Sequence, residues 1–258
     1  MSALIICAVA FGASLLTFFT GFGLGTLLLP AFAAFFPTEI AVALTAVVHL
    51  LNGLFKLTLV GRHANLRIAA RFGVPAIAAA YAGALVLAWL AAGREPLLTY
   101  ELGGRTLSVM PVAFVVALLM LGFAALELSP RFKRLAIPPR WLPLGGLLTG
   151  FFGGLSGHQG ALRSAFLIRA GLDKQAFIAT GVVVATVVDV TRLAVYSERF
   201  LAANLAPHGR LLASAALAAF AGAWAGNRAL KKVSLRSIEV GVAVLLGLVA
   251  LGLGSGLL

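Results

Sequence analysis

Charged and apolar residues are sorted into separate blocks along this chain. No Asp, Glu, Lys or Arg precedes Glu39. Further charge-free stretches run Ile40–Phe55, Phe72–Gly93, Thr106–Leu126, Trp141–Leu162, Gln175–Val188, Leu211–Asn227 and Val240–Leu258. Their apolar residues are continuous rather than alternating, so they read as helices and not as the strands of a barrel. A membrane-crossing helix needs roughly 20 mostly apolar residues. On that scale the pattern predicts ten hydrophobic segments, near 3–20, 22–36, 39–60, 72–92, 107–128, 142–154, 160–171, 175–197, 205–226 and 236–257. Two joins are unusual. Segment 22–36 is short and follows its predecessor through Gly21-Phe-Gly-Leu-Gly25. Segments 142–154 and 160–171 are both short and meet at Gly153-Gly-Leu-Ser-Gly-His-Gln-Gly160. Neither join has a charge or a polar run. Both are expected to be broken or re-entrant helices, a geometry tolerated only inside protein or beside a cavity. The fold class is an all-α polytopic membrane protein.

Composition agrees. Of 258 residues, 61% are hydrophobic and 11% charged, with mean hydropathy +1.05. A soluble domain carries about 25% charged residues, so a soluble enzyme, a disordered chain and a disulfide scaffold are excluded. The single Cys7 has no intrachain partner, and Met1-Ser-Ala has no positive leader region, so the first apolar run reads as a retained span. The net charge of +12 suits either nucleic acid or cytoplasmic loops, and its placement decides. Arg62, Arg67 and Arg71 form one cluster; Arg131, Lys133, Arg134 and Arg140 a second; Arg228, Lys231, Lys232 and Arg236 a third. Between them, Arg94 and Arg105 are balanced by Glu95 and Glu101, and Arg199 and Arg210 face Glu198. The order in, out, in, out, in satisfies the positive-inside rule. It predicts a multi-pass protein of the cell membrane with both termini external. Nucleic acid is not a partner; the lipid bilayer is.

The two Gly-rich joins belong to a weak repeat. Phe18-Phe-Thr-Gly-Phe-Gly-Leu-Gly25 echoes Phe151-Phe-Gly-Gly-Leu-Ser-Gly-His-Gln-Gly160, and Ala43-Leu-Thr45 echoes Ile178-Ala-Thr180. Each Thr opens an apolar helix with polar residues near its end, Asn52 and Lys56 in one and Asp189 and Arg192 in the other. The first such helix ends at a basic loop and the second at a balanced one, so the repeats run in opposite directions. The expected organisation is residues 1–128 as a first transmembrane repeat, 129–141 as a basic cytoplasmic linker and 142–258 as an inverted second repeat. Inverted repeats with interrupted helices at matching places are a pattern of secondary transporters, with substrate at the repeat interface. Gly-rich breaks that merely allow tight helix packing are the plainer alternative.

With this pattern the chain resembles the TauE/SafE sulfite exporter family over nearly its whole length. The stretch from Leu155-Ser-Gly-His-Gln-Gly-Ala-Leu-Arg163 through Ile178-Ala-Thr180 to Asp189-Val-Thr-Arg192 carries the resemblance best. The first half is degenerate, with Lys56 where the second copy has Arg192. The resemblance implies transport, in the export direction, of small sulfur-containing or organic anions such as sulfite, sulfoacetate or thiosulfate.

Ionisable residues inside spans are functional candidates because each costs about 2.5–3.5 kcal/mol or more at a helix centre. Arg163 falls three residues after Gly160, in the first turn of a half-helix whose N–H groups favour an anion. Its planar fork suits an oxyanion; snorkelling to the interface is the alternative. Ser156, His158, Gln159 and Gly160 share that break, and Gly23 and Gly25 belong to its counterpart. They are candidate substrate contacts, or else they satisfy backbone carbonyls freed by the break. Asp189 and Arg192 are i,i+3 neighbours, which reads first as an intrahelical ion pair and second as a proton carrier beside a gating charge. Thr45, His49, Asn52 and Lys56 lie on one helical stripe, which with Thr186, Asp189 and Arg192 would line a pathway. Lys56 is near a helix end, where snorkelling suffices to explain it; His49 is deeper.

The expected function is secondary transport of a small anion by alternating access. An anion channel would use the same residues. A membrane-embedded enzyme lacks a His-Glu-x-x-His motif or paired carboxylates, and no Gly-x-x-x-x-Gly-Lys-Ser/Thr motif supplies ATP. No cofactor or metal is expected. The Gly-rich helix surfaces are compatible with a homodimer without requiring one.

Overall fold

In hydrocarbon every backbone N–H and C=O must be satisfied within its own segment, so apolar blocks of this length close into helices. The computed structural model describes residues 2–20, 24–93, 95–133, 135, 137–198, 206–228 and 235–258. Its helices are α1 Ser2–Thr20, α2 Leu24–Ala33, α3 Thr38–Val60, α4 Leu66–Ala91, α5 Pro111–Leu128, α6 Leu142–Ser156, α7 Gly160–Leu167, α8 Lys174–Tyr196, α9 Gly209–Arg228 and α10 Leu235–Gly254, with a single turn at Pro130–Lys133. Four of them, α3, α4, α5 and α8, are long and apolar enough to cross a membrane. The chain is a multi-pass helical membrane protein. The join at Gly21, Phe22 and Gly23 lies outside the described residues, as do Arg94, Arg134, Arg199, Lys231 and Lys232.

Helix ends follow local chemistry. Asn65 caps α4 by accepting from the Ile68 N–H at 3.1 Å, and Asp173 caps α8 by accepting from the Ala176 N–H at 2.8 Å. The Asn65 cap starts α4 earlier than the charge pattern suggested, so Arg67 and Arg71 stand on exposed first turns of the helix rather than in a loop. The predicted segment 107–128 also begins differently. Leu98–Leu102 (β1) and Arg105–Val109 (β2) pair antiparallel, with Leu98 opposite Val109 and Leu102 opposite Arg105. Alternation of Leu98, Tyr100 and Leu102 with Thr99 and Glu101 favours a strand. Gly103 and Gly104, at φ +60° and +75°, supply a tight hairpin turn. The hairpin adds a small β element to an otherwise helical fold. Tyr100 Oη donates to the Ser255 carbonyl at 2.6 Å, which holds the hairpin against the end of α10.

Lipid tails are as apolar as Leu, so close packing rather than water exclusion holds such helices together. α4 lies along α6, and α1 along α9. On α6, a Cβ at Gly146, Gly150 or Gly154 would collide with the backbone of Phe72, Ala76 or Ala80, respectively. On α9, Gly222 and Gly226 meet the backbone of Phe11 and Leu15 in the same way. The four-residue spacing puts these glycines on one helix face. α3 packs on α8, and α5 on α10. Every described residue of α2 is buried, and most of α7 is too. The two short helices are therefore enclosed by protein, where an interrupted backbone is tolerated.

Candidate functional site

The break between α6 and α7 is three residues long. Gly157, at φ +84°, takes the left-handed conformation that ends α6, and its N–H donates to the Gly153 carbonyl at 3.0 Å. Only Gly suits this position twice over, since a Cβ there would stand 2.8 Å from Arg192 Nη1. α7 then restarts at Gly160, with the Arg163 N–H donating to the Gln159 carbonyl at 3.1 Å. At the break, Oγ of Ser156, the last residue of α6, and His158 Nδ1 are 3.0 Å apart. The His158 ring stacks on Phe123 of α5, with centroids 5.3 Å apart and planes at 12°. Its Nε2 is buried and has no hydrogen-bond partner among the described residues.

Next to the break, side chains from three elements converge on Asp189. His49 Nδ1 of α3 lies 2.5 Å from Oδ2. Arg192 Nε and Nη2 donate to Oδ1 at 3.0 and 2.7 Å. Gln159 Nε2 donates to the same oxygen at 3.3 Å, and Arg163 Nη1 donates to Gln159 Oε1 at 3.4 Å. Asp189 and Arg192 are both fully buried. Shared hydrogen bonds are what make a buried pair tolerable, because desolvation of two lone ions exceeds their attraction. Tyr196 Oη, one turn beyond Arg192, donates to the Gly154 carbonyl and ties α8 to α6. Thr180 Oγ1 accepts from the Asn65 N–H at 2.9 Å and ties α8 to the start of α4.

On one side of this bridge is a cavity of about 40 Å³ between α3, α7 and α8. A buried water needs about 10–15 Å³ by this kind of measure, so the space suits a few waters or one compact ion. His49, Asn52 and Lys56 line it from α3, Arg163 and Ser164 from α7, and Phe177 and Gly181 from α8. Lys56 and Arg163 are 4% and 6% exposed, and their charges act on one another. No carboxylate lines the cavity among the described residues. Asn52, turned so that its oxygen faces Lys56, accepts from Nζ at 3.2 Å and donates to the Ala219 carbonyl of α9 at 3.2 Å. Gly181 leaves room for Arg163, since a Cβ there would be 3.3 Å from Nε.

The sequence candidates therefore fall into three groups. Arg163, His49, Asn52 and Lys56 share the cavity. Gln159, Asp189 and Arg192 form the bridge with His49. Ser156, His158, Gly160 and Gly25 lie at the break, where a Cβ on Gly25 would meet the Gly157 carbonyl at 3.1 Å and His49 Cδ2 at 3.7 Å. Gly23 lies outside the described residues. The snorkelling alternative does not hold for Lys56 or Arg163, because both heads are held inside. The anticipated stripe is split: Thr45 is buried but away from the cavity, and Thr186 donates to its own helix at Val182. Ser164, Phe177, Gly53 and Gly181 were not singled out from sequence. Gly53 and Gly181 are glycines whose use depends on a partner helix, Gly53 lying where a Cβ would meet Thr186 Oγ1 at 3.0 Å.

No curated relative and no solved structure matches the chain. The family description "Sulfite exporter TauE/SafE" matches residues 6–253. With nearly the whole chain covered, and with multi-pass helices enclosing two buried half-helices, the protein belongs to the sulfite exporter TauE/SafE family of membrane transporters.

Proposed function

We propose that the protein is a secondary transporter that carries a small sulfur-containing or organic anion, such as sulfite, thiosulfate or sulfoacetate, out of the cell. The observation that carries this reading is the cavity in which Lys56 and Arg163 are buried together, with no lining carboxylate among the described residues. Two buried basic side chains lining one small cavity favour an anion that desolvates and is held by charge-assisted hydrogen bonds. Arg163 offers the planar fork, Lys56 a point charge, and Ser164 and Asn52 neutral polar groups. The small volume supports a compact ligand.

Helix pairing supports an inverted repeat, with α1–α5 as one half and α6–α10 as the other. Exchanging the halves turns the α1–α9 contact into α6–α4, and leaves α3–α8 and α5–α10 as pairs. His49 of the first half and Asp189 of the second then form a link across the interface that must open for the site to face the other way. Arg192, held on Asp189, serves as a gating charge in that motion. The backbone contacts α4–α6 and α1–α9 join helices of opposite halves. In alternating access each such pair moves as a unit while α3 and α8 part. An inside-negative potential drives anions outward, worth about 2.3 kcal/mol per elementary charge per 100 mV.

The test is flux of labelled sulfite, thiosulfate, sulfoacetate and taurine in proteoliposomes, with and without a pH gradient. Saturable transport of at least one is expected. Arg163→Ala should abolish it while the variant elutes as a folded, monodisperse protein. Wild-type flux through that variant would overturn the site, and large single-channel currents would overturn the carrier.

A further inference from the structure

We infer that the protein holds a second anion subsite, one helical turn beyond the His49–Asp189 bridge on the side away from the cavity, formed by Arg192 Nη1, Thr45 Oγ1 and His158 Nε2 beside the start of α2. The inference rests on the anion-carrier reading and extends it.

α3 and α8 are paired with His49 opposite Asp189, and Gly53 meets Thr186. One pair is four residues further along α3 and three residues back along α8, so the helices run antiparallel. Moving one turn the other way places Thr45 level with Arg192. Both are buried, and each has a polar atom with no hydrogen-bond partner among the described residues: Thr45 Oγ1 and Arg192 Nη1. The Arg192 guanidinium spends Nε and Nη2 on Asp189, so Nη1 points away from the carboxylate, toward Gly157. His158 follows Gly157, and the charge of Arg192 acts on its ring. Its Nε2 is the third partnerless atom. Ser156 Oγ is closer to His158 Nδ1, at 3.0 Å, than to the Phe152 carbonyl, at 3.3 Å. In the tautomer in which Ser156 donates to Nδ1, Nε2 carries the ring hydrogen and is a donor.

The first turn of α2 closes the group. Gly25 approaches both the Gly157 carbonyl and His49, and the leading N–H groups of a ten-residue helix have no acceptor within it. Buried polar groups without partners are rare in folded proteins and each calls for an explanation. Here Arg192 Nη1 lies beside Gly157, the residue before His158, and the α3–α8 register brings Thr45 to its level. Among the described residues three cationic side chains are buried, Lys56, Arg163 and Arg192, against one carboxylate, Asp189. One anion in the cavity leaves an excess of donors on the Arg192 side. A compact oxyanion, all acceptor, fits that excess better than water, which would bring hydrogens of its own. The two subsites would then flank the bridge, and an anion leaving Arg163 would be received by Arg192 as His49 and Asp189 separate.

Sulfite binding to the purified full-length protein in detergent, measured by isothermal titration, tests this. Two sulfite ions per chain are expected in the wild type. Arg163→Ala should keep one of them. Thr45→Val, which removes a hydroxyl at constant shape, should weaken that retained event about tenfold, and Arg192→Lys, which keeps a charge for Asp189 but removes Nη1, at least as much. Unchanged thermal midpoints would certify that the variants are folded. One ion per chain, lost in Arg163→Ala and untouched in Thr45→Val and Arg192→Lys, would overturn the second subsite and leave the cavity reading standing. Two ions retained in Arg163→Ala would instead remove the cavity reading.

Discussion

Asp189 is the one buried carboxylate among the described residues, and His49, Arg192 and Gln159 all converge on it. Removing a partner from such a set leaves a buried charge without compensation, at a cost of about 3–5 kcal/mol. Asp189→Asn should therefore lower the Tm in detergent markedly, and more than His49→Gln, which leaves the Arg192 pair intact. Equal Tm values for the two would show that Asp189 is not the centre of the bridge. The i,i+3 spacing made the Asp189–Arg192 pair legible from sequence. His49–Asp189 was not, because 140 residues separate the two and nothing local marks them as neighbours. Lys56 illustrates the opposite difficulty. Its place near a helix end allowed its head to reach the interface, and only the packing of α8 and α9 against α3, with Arg163 of α7 beside it, encloses it.

Between elements, the decisive contacts are made by glycines that a sequence reading assigns equally well to breaks or to packing. Gly150 leaves no room for a Cβ against Ala76, whereas Gly12 of α1 has open space. Gly150→Leu should force α4 and α6 apart, with a loss of several kcal/mol expected from overpacking a close backbone contact. Gly12→Ala should be tolerated. Thermal melts of the two variants in the same detergent check the contrast, and a Gly150→Leu protein as stable as wild type would refute the close contact. Gly157→Ala adds a different cost, since its left-handed φ is unfavourable to an L residue by about 1–2 kcal/mol. The presence of a break between α6 and α7 was readable from the Gly-rich run. Its length, and the use of Gly157 to seat Arg192, depended on a helix distant in the chain.

For the molecule as a whole, the loop charges make a prediction of orientation. In a Cys7→Ser background, a cysteine at Arg131 should react with a membrane-impermeant thiol reagent only from the cytoplasmic side. A cysteine at the exposed hairpin residue Glu101 should react only from outside. Labelling of both from one side would overturn the inverted arrangement, since α5 alone separates the two positions.

Patterning along the chain identifies the class of the protein and the places of most helices, and it shows which ionisable residues fall inside them. Those follow from local rules: a bilayer demands continuous apolar helices, and a charge inside one is costly enough to stand out. Tertiary structure decided which of those residues meet. The cavity, the bridge and the partnerless donors beyond it all arise where α3, α7 and α8 cross. That crossing is set by close-packed surfaces far apart in the chain, and no local spacing encodes it.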